Sequence, residues 1–117
     1  MIQGKNVFSN ITSIVEKEYE NWKGRVESDP QVFSHLKKYW DLVNVAGWTP
    51  TGTAWSAVYI SWIMRQMDSS FPATSAHRVY CKHGLNNRNN KKSGYKLFSL
   101  NRELEPIKCE LGDILVK

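Results

Sequence analysis

Residues 54–67 read Ala54-Trp55-Ser56-Ala57-Val58-Tyr59-Ile60-Ser61-Trp62-Ile63-Met64-Arg65-Gln66-Met67, and the organisation of the chain follows from them. Ala54 to Met64 is the longest apolar run, broken only by Ser56 and Ser61. It is too short to cross a bilayer, which takes about 20 apolar residues in a helix. A helix that is apolar nearly all round belongs in the middle of a fold. The pattern therefore predicts a buried central helix over 54–67, capped by Thr53. Ser56, Ile60, Ile63 and Met67 recur at steps of four, three and four. That spacing puts Ser56 in the first turn, on an inward face.

The segments before it are amphipathic. Phe8, Ile11, Val15, Tyr19 and Trp22 recur at helical spacing and predict a helix over 6–23 with that stripe buried. Gly24 is expected to end it. Asp29-Pro30 is a helix start, with Asp29 as N-cap and Pro30 at the first helical position. A second helix is expected over 30–45, burying Phe33, Leu36, Trp40 and Val43, with Gly47 closing it. Pro50 and Gly52 mark a loop over 48–53.

After the central helix, Asp68 to Thr74 reads as a turn region with Pro72. Ser75 is the expected N-cap of a short helix over 75–83. The Asn- and Lys-rich stretch 84–94 reads as a mobile basic loop. Residues 95–100 and 114–117 are β-prone. An apolar strand needs partners for its backbone groups. The expectation is that 114–117 pairs with 95–100 or completes its sheet elsewhere.

Composition bounds the class. The 117 residues are 41% hydrophobic and 23% charged, the range of one globular domain. Five Trp and five Tyr supply large rings for a core. Two cysteines, Cys81 and Cys109, are too few for a disulfide scaffold and wrongly spaced for a zinc ribbon. The N-terminus shows no basic-then-apolar export signal. Synthesis in the cytoplasm is expected, with any delivery to the periplasm or cell wall by another route.

Charge is uneven. Residues 1–74 hold seven Lys/Arg and seven Asp/Glu, whereas 75–117 hold nine against four. Between Arg78 and Lys96 there are six cations and no acid. Such a stripe attracts anionic partners, or serves only to solvate a loop. Nucleic acid is the less favoured partner, because no recognition motif accompanies the charge.

Three blocks carry a resemblance. They are Trp55 to Arg65, then Phe71-Pro72-Ala73-Thr74-Ser75-Ala76-His77-Arg78-Val79-Tyr80, and Gly112-Asp113-Ile114-Leu115. They are similar to the bacterial family known as domain of unknown function 2272, whose members carry W-S-A-x-F-I-S-W-x-M-R, F-P-x-S-x-A-H-x-x-Y and P-x-x-G-D-L patterns. That family in turn resembles the NlpC-type and CHAP cysteine peptidases. The resemblance implies an α+β fold, the helix-rich N-terminal half of a papain-like domain with a short β segment at its end. It implies a hydrolase acting on peptide or amide bonds of peptidoglycan. In it Ser56 takes the position of the nucleophilic Cys, and Gly112-Asp113-Ile114 that of a G-D-L strand. The family's base would follow that strand, beyond Lys117.

The candidate site residues follow. Ser56 at a helix start has free amides and the positive end of the helix dipole beside it. It reads as nucleophile or as a small structural residue. His77 is the candidate base within the chain, its imidazole suited to proton transfer near neutral pH. The other reading is a His that fixes the fourth helix. Trp48, Trp55, Tyr59, Arg78 and Tyr80 are candidate substrate contacts, with core packing the competing reading for the rings. His35 is expected at the surface and His83 at the last carbonyls of its helix. Asp113 is expected to shape a turn. His77, Cys81 and His83 lack a fourth ligand, so neither metal nor cofactor is expected. Three functions compete: a cell-wall hydrolase binding peptide or glycan, a non-catalytic protein pairing with a second chain through its C-terminal strand, and a nonspecific nucleic-acid binder.

Overall fold

The computed structural model describes residues 2–3, 11–98 and 113–114. The predicted positions at 6–10, 99–112 (Cys109 and Gly112 among them) and 115–117 lie outside these. The described chain is mostly helical, a helix-rich α+β unit. In order it comprises β1 (Ile2–Gln3), α1 (Ile11–Trp22), a 3-10 turn (Pro30–Val32), α2 (Phe33–Val43), α3 (Ser56–Arg65), α4 (His77–Asn89) and β2 (Lys96–Leu97). No described helix is long and apolar enough to cross a membrane.

Helix α3 is central, as its composition requires. One side supplies Ala57 and Met64 to a core with Phe71, Tyr80, Tyr95 and Ile114. The other supplies Val58 to a second core with Leu36, Tyr39 and Trp40. Tyr39, Tyr80 and Phe71 have no exposed surface. Burying side chains of this size stabilises the fold by about 2–3 kcal/mol each. Helix α3 is shorter than the predicted 54–67. Thr53 does not cap it: its Oγ1 accepts from the Thr49 amide instead, and Trp55 holds the N-cap position without a side-chain bond.

Asp29 caps its turn as expected, accepting from the Gln31 amide at 2.9 Å. The helix it opens is tighter at first and ends earlier than predicted. Asn44, in a left-handed conformation at φ 60°, stops α2 before Gly47 is reached. The buried face also rotates. Val32, Leu36, Tyr39 and Trp40 are buried, whereas Phe33 is 47% exposed and stacks on Trp48 at 5.3 Å.

The largest departure in α1 is its facing. Glu18 is buried, while Val15 and Tyr19 are exposed. Two bonds from Lys38 at 2.9 Å and one from Asn21 at 3.0 Å hold the Glu18 carboxylate. Burial works to raise its pKa, but the bonds from Asn21 and Lys38 and the Lys38 charge outweigh that and hold it below the ordinary value. Lys38 also lies 4.2 Å from the Trp62 ring centre. His35 is half-buried within 3.8 Å of Glu18, more enclosed than expected.

Helix α4 runs six residues past its predicted end, through the first half of the supposed loop. Gly84 is a packing residue there and not a stop. A Cβ at Gly84 would stand 2.9 Å from the Tyr95 ring and 3.2 Å from the Leu97 amide. Asn87, also buried, donates to the Tyr95 carbonyl at 3.0 Å. The chain then turns back, and β2 pairs antiparallel with β1, Ile2 opposite Leu97 and Gln3 opposite Lys96. Lys96 and Leu97, within the β-prone 95–100 stretch, are therefore paired with the N-terminal Ile2–Gln3. Ile114 is a buried bridge residue packed in the α3–α4 core.

Candidate active site

Ser56 is the first residue of α3, and its side chain is exposed. The inward face expected of it is corrected: the helix directs Ala57 and Val58 inward and leaves Ser56 at the rim. Trp55 carries no side-chain oxygen that could cap the helix. The first turn closes only at the Tyr59 amide, which bonds the Trp55 carbonyl at 3.0 Å. The amides of Ser56, Ala57 and Val58 precede that bond, and helix geometry gives them no partner within the helix. They lie at the positive end of the helix dipole.

The other half of the site arrives through Ser61, one of the few polar residues buried in the fold. Ser61 Oγ donates to the Thr74 carbonyl at 3.1 Å and accepts from the Thr74 amide at 3.0 Å. Arg65 Nε donates to the Phe71 carbonyl. These bonds fasten the 71–74 segment along α3. Thr74 Oγ1 then accepts from the Ala76 amide at 3.0 Å, one residue before α4 begins. Helix α4 starts at His77, with Ala76 rather than Ser75 in the N-cap position.

His77 Nε2 stands 2.8 Å from Ser56 Oγ. Its Nδ1 is hydrogen-bonded to the Tyr80 hydroxyl, one helical turn on. Tyr80 has no exposed surface and packs against Phe71, ring centres 5.5 Å apart. Burial, with Cys81 adding to it, pushes the phenol pKa well above its ordinary value. Tyr80 is therefore a neutral phenol held behind His77, and burial removes it from the substrate contacts expected from sequence. If Ser56 donates its proton to Nε2, Nδ1 carries the ring hydrogen and donates to the Tyr80 oxygen. In the opposite arrangement Tyr80 donates to Nδ1, and Nε2–H points at Ser56. A phenol permits both, whereas a carboxylate would permit only the first.

Ser56 opens on a cleft of about 680 Å³, whose walls include Trp55, Tyr59, Glu27 and the Pro50–Thr53 loop. Trp55 stacks on Trp22 at 4.6 Å and meets Tyr59 edge-on at 5.9 Å. Trp48 is elsewhere. It is stacked between Phe33 and Trp40 and lines no part of this cleft. Arg78 is exposed beside His77. His83 lies in mid-helix with its ring 5.4 Å from Tyr95, not at terminal carbonyls. Cys81 is a half-buried free thiol, and burial raises its pKa. Among the described residues no group of His, Cys, Asp and Glu could hold a metal ion.

Sequence reasoning singled out Ser56 and His77 separately, and the fold brings them into contact. It missed Ser61 and Thr74, and Glu27 in the cleft. A serine within an otherwise apolar run was the available signal for Ser61, since a buried hydroxyl needs a partner. Comparison with protein-family models, curated proteins and solved structures found no match for this chain.

Proposed function

We propose that this chain is the helix-rich part of a papain-like hydrolase that uses serine in place of cysteine. Its substrate would be a peptide or amide bond of the bacterial cell wall. The contact of 2.8 Å between Ser56 Oγ and His77 Nε2 at the mouth of a cleft carries the reading. The resemblance of residues 54–80 to domain of unknown function 2272 supplies the papain-like fold and the cell-wall substrate.

The chemistry runs as follows. Ser56 Oγ attacks the carbonyl carbon while its proton passes to His77 Nε2. The carbonyl oxygen becomes an oxyanion, and the first-turn amides of α3 are donors of the kind that stabilise it. His77 returns the proton to the leaving amine, which departs as the acyl-serine forms. Water, deprotonated by His77, then hydrolyses the ester and frees Ser56. Tyr80 orients the imidazole by accepting from Nδ1. It carries no charge to stabilise the imidazolium, so turnover slower than with a carboxylate partner is expected.

The test is release of soluble fragments from purified sacculi, with hydrolysis of small peptide amides in parallel. Ser56→Ala should abolish both and leave the circular dichroism and melting curve nearly unchanged. Equal cleavage by the variant would remove Ser56 from the chemistry. Absence of cleavage by the folded wild type would favour the alternative, a binding protein on the same scaffold.

A further inference from the structure

Val15, Tyr19 and Trp22 are apolar at helical spacing, yet α1 turns only Trp22 onto the core, where it packs beside Tyr39. Glu18 takes the inward position, and Val15 and Tyr19 are left 37% and 56% exposed. With Val26, 61% exposed, they line a second, apolar hollow of about 330 Å³. This hollow and the Ser56 cleft share Glu27, Trp55 and Tyr59. Trp55 directly precedes Ser56, so the shared wall adjoins the nucleophile. Arg25, at the rim of the hollow, is paired with Asp29 at 3.0 Å. Glu27 has no ion pair or side-chain hydrogen bond within the described residues. A half-buried carboxylate at the junction of two hollows, beside two aromatic rings, is complementary to an ammonium group on a hydrocarbon stem.

The geometry points to a substrate-binding subsite beside Ser56 for an amine-bearing apolar group. The ammonium sits at Glu27, its hydrocarbon lies on Trp55 and Tyr59, and the hollow under Val15 and Tyr19 takes the rest. This deepens the hydrolase reading and rests on it for Ser56 as the reacting group. The ammonium can belong to a lysine-type side chain or to a free amino terminus.

Binding to Ser56→Ala protein separates this subsite from the chemistry. The probes are Nα-acetyl-lysine methylamide, leucinamide with its free amine, and the neutral Nα-acetyl-leucine methylamide. Indole N–H shifts of Trp22 and Trp55 report occupancy. One amine probe should bind about tenfold more tightly than the neutral one, about 1.4 kcal/mol. Which of the two it is identifies the source of the ammonium. Glu27→Gln should remove that preference. Val26→Lys, at an exposed position that tolerates the change, should weaken the amine probe by placing a like charge at the hollow. Equal affinity for charged and neutral probes, or shifts confined to α4, would overturn the subsite. Amine-selective binding with no cleavage by the wild type would uphold the subsite and count against the hydrolase instead.

Discussion

Ser61 and Thr74 exchange two hydrogen bonds, Ser61 Oγ donating to the Thr74 carbonyl and accepting from its amide. The pair lies 13 residues apart and fixes the approach of the 74–76 segment to α3, hence the position of His77 over Ser56. Ser61→Ala would leave both backbone groups of Thr74 unpaired near the core. The expected cost is about 1–3 kcal/mol. Catalysis should suffer in kcat more than in KM, because the base and not the cleft is displaced. Denaturant melts and steady-state kinetics check both. A loss of stability with unchanged kcat would separate the clamp from the site.

Tyr80→Phe removes the partner of His77 Nδ1 and keeps the ring in its buried packing. The imidazole then loses one of its two anchors. A kcat lower by about tenfold is expected, less than the roughly 100- to 10,000-fold that an acid–base group itself contributes, because Tyr80 only orients the base, with KM nearly constant. Kinetics on a small amide or ester substrate reads this directly. An unchanged kcat would make Tyr80 a packing residue only.

Gly84→Ala sets two effects against each other. Replacing a helical glycine by alanine gains about 1 kcal/mol in propensity. The added Cβ would stand 2.9 Å from the Tyr95 ring and 3.2 Å from the Leu97 amide, which belongs to β2 and cannot rotate away. Overpacking of this kind costs about 1–3 kcal/mol. Packing should win, so the melting temperature should fall. A rise would mean that α4 and β2 are less closely joined.

The Glu18 carboxylate gives a pH dependence of defined sign. Its folded pKa lies below the ordinary 4.5. The stabilisation is therefore fully present above about pH 4.5 and is lost as pH falls through the lowered value. Glu18→Gln should be less stable than the wild type at pH 7, by about 1.5–3 kcal/mol, because the charged hydrogen bonds from the partly exposed Lys38 are lost. The gap should narrow on acidification. Urea melts at pH 7 and pH 3 measure it, and a constant gap would contradict the pairing.

Much of the helical plan was legible because α3 is apolar on every side and Asp29-Pro30 is an unambiguous start. The facing of α1 was not. Its apolar spacing is real, and Ile11 and Trp22 pack on the cores, but Glu18, paired with Lys38, takes an inward position and leaves Val15 and Tyr19 at the second hollow. The length of α4 was hidden because glycine serves both to end helices and to admit close neighbours. Only the presence of Tyr95 and Leu97 decides which applies at Gly84. Ser56 and His77 could be chosen by residue type and setting. Their contact depends on the Ser61–Thr74 clamp, which joins backbone to side chain and leaves little trace in composition. Tyr80 was recognisable as an important ring, but burial decided that it faces His77 and not a ligand.

The central claim is that His77 makes Ser56 a nucleophile. The most direct measurement is reaction of the folded protein with a fluorophosphonate, followed by peptide mass mapping. One adduct is expected, on Ser56, absent in Ser56→Ala and formed at least about tenfold more slowly in His77→Ala. No adduct on a protein shown to be folded, or equal labelling without His77, would contradict the account.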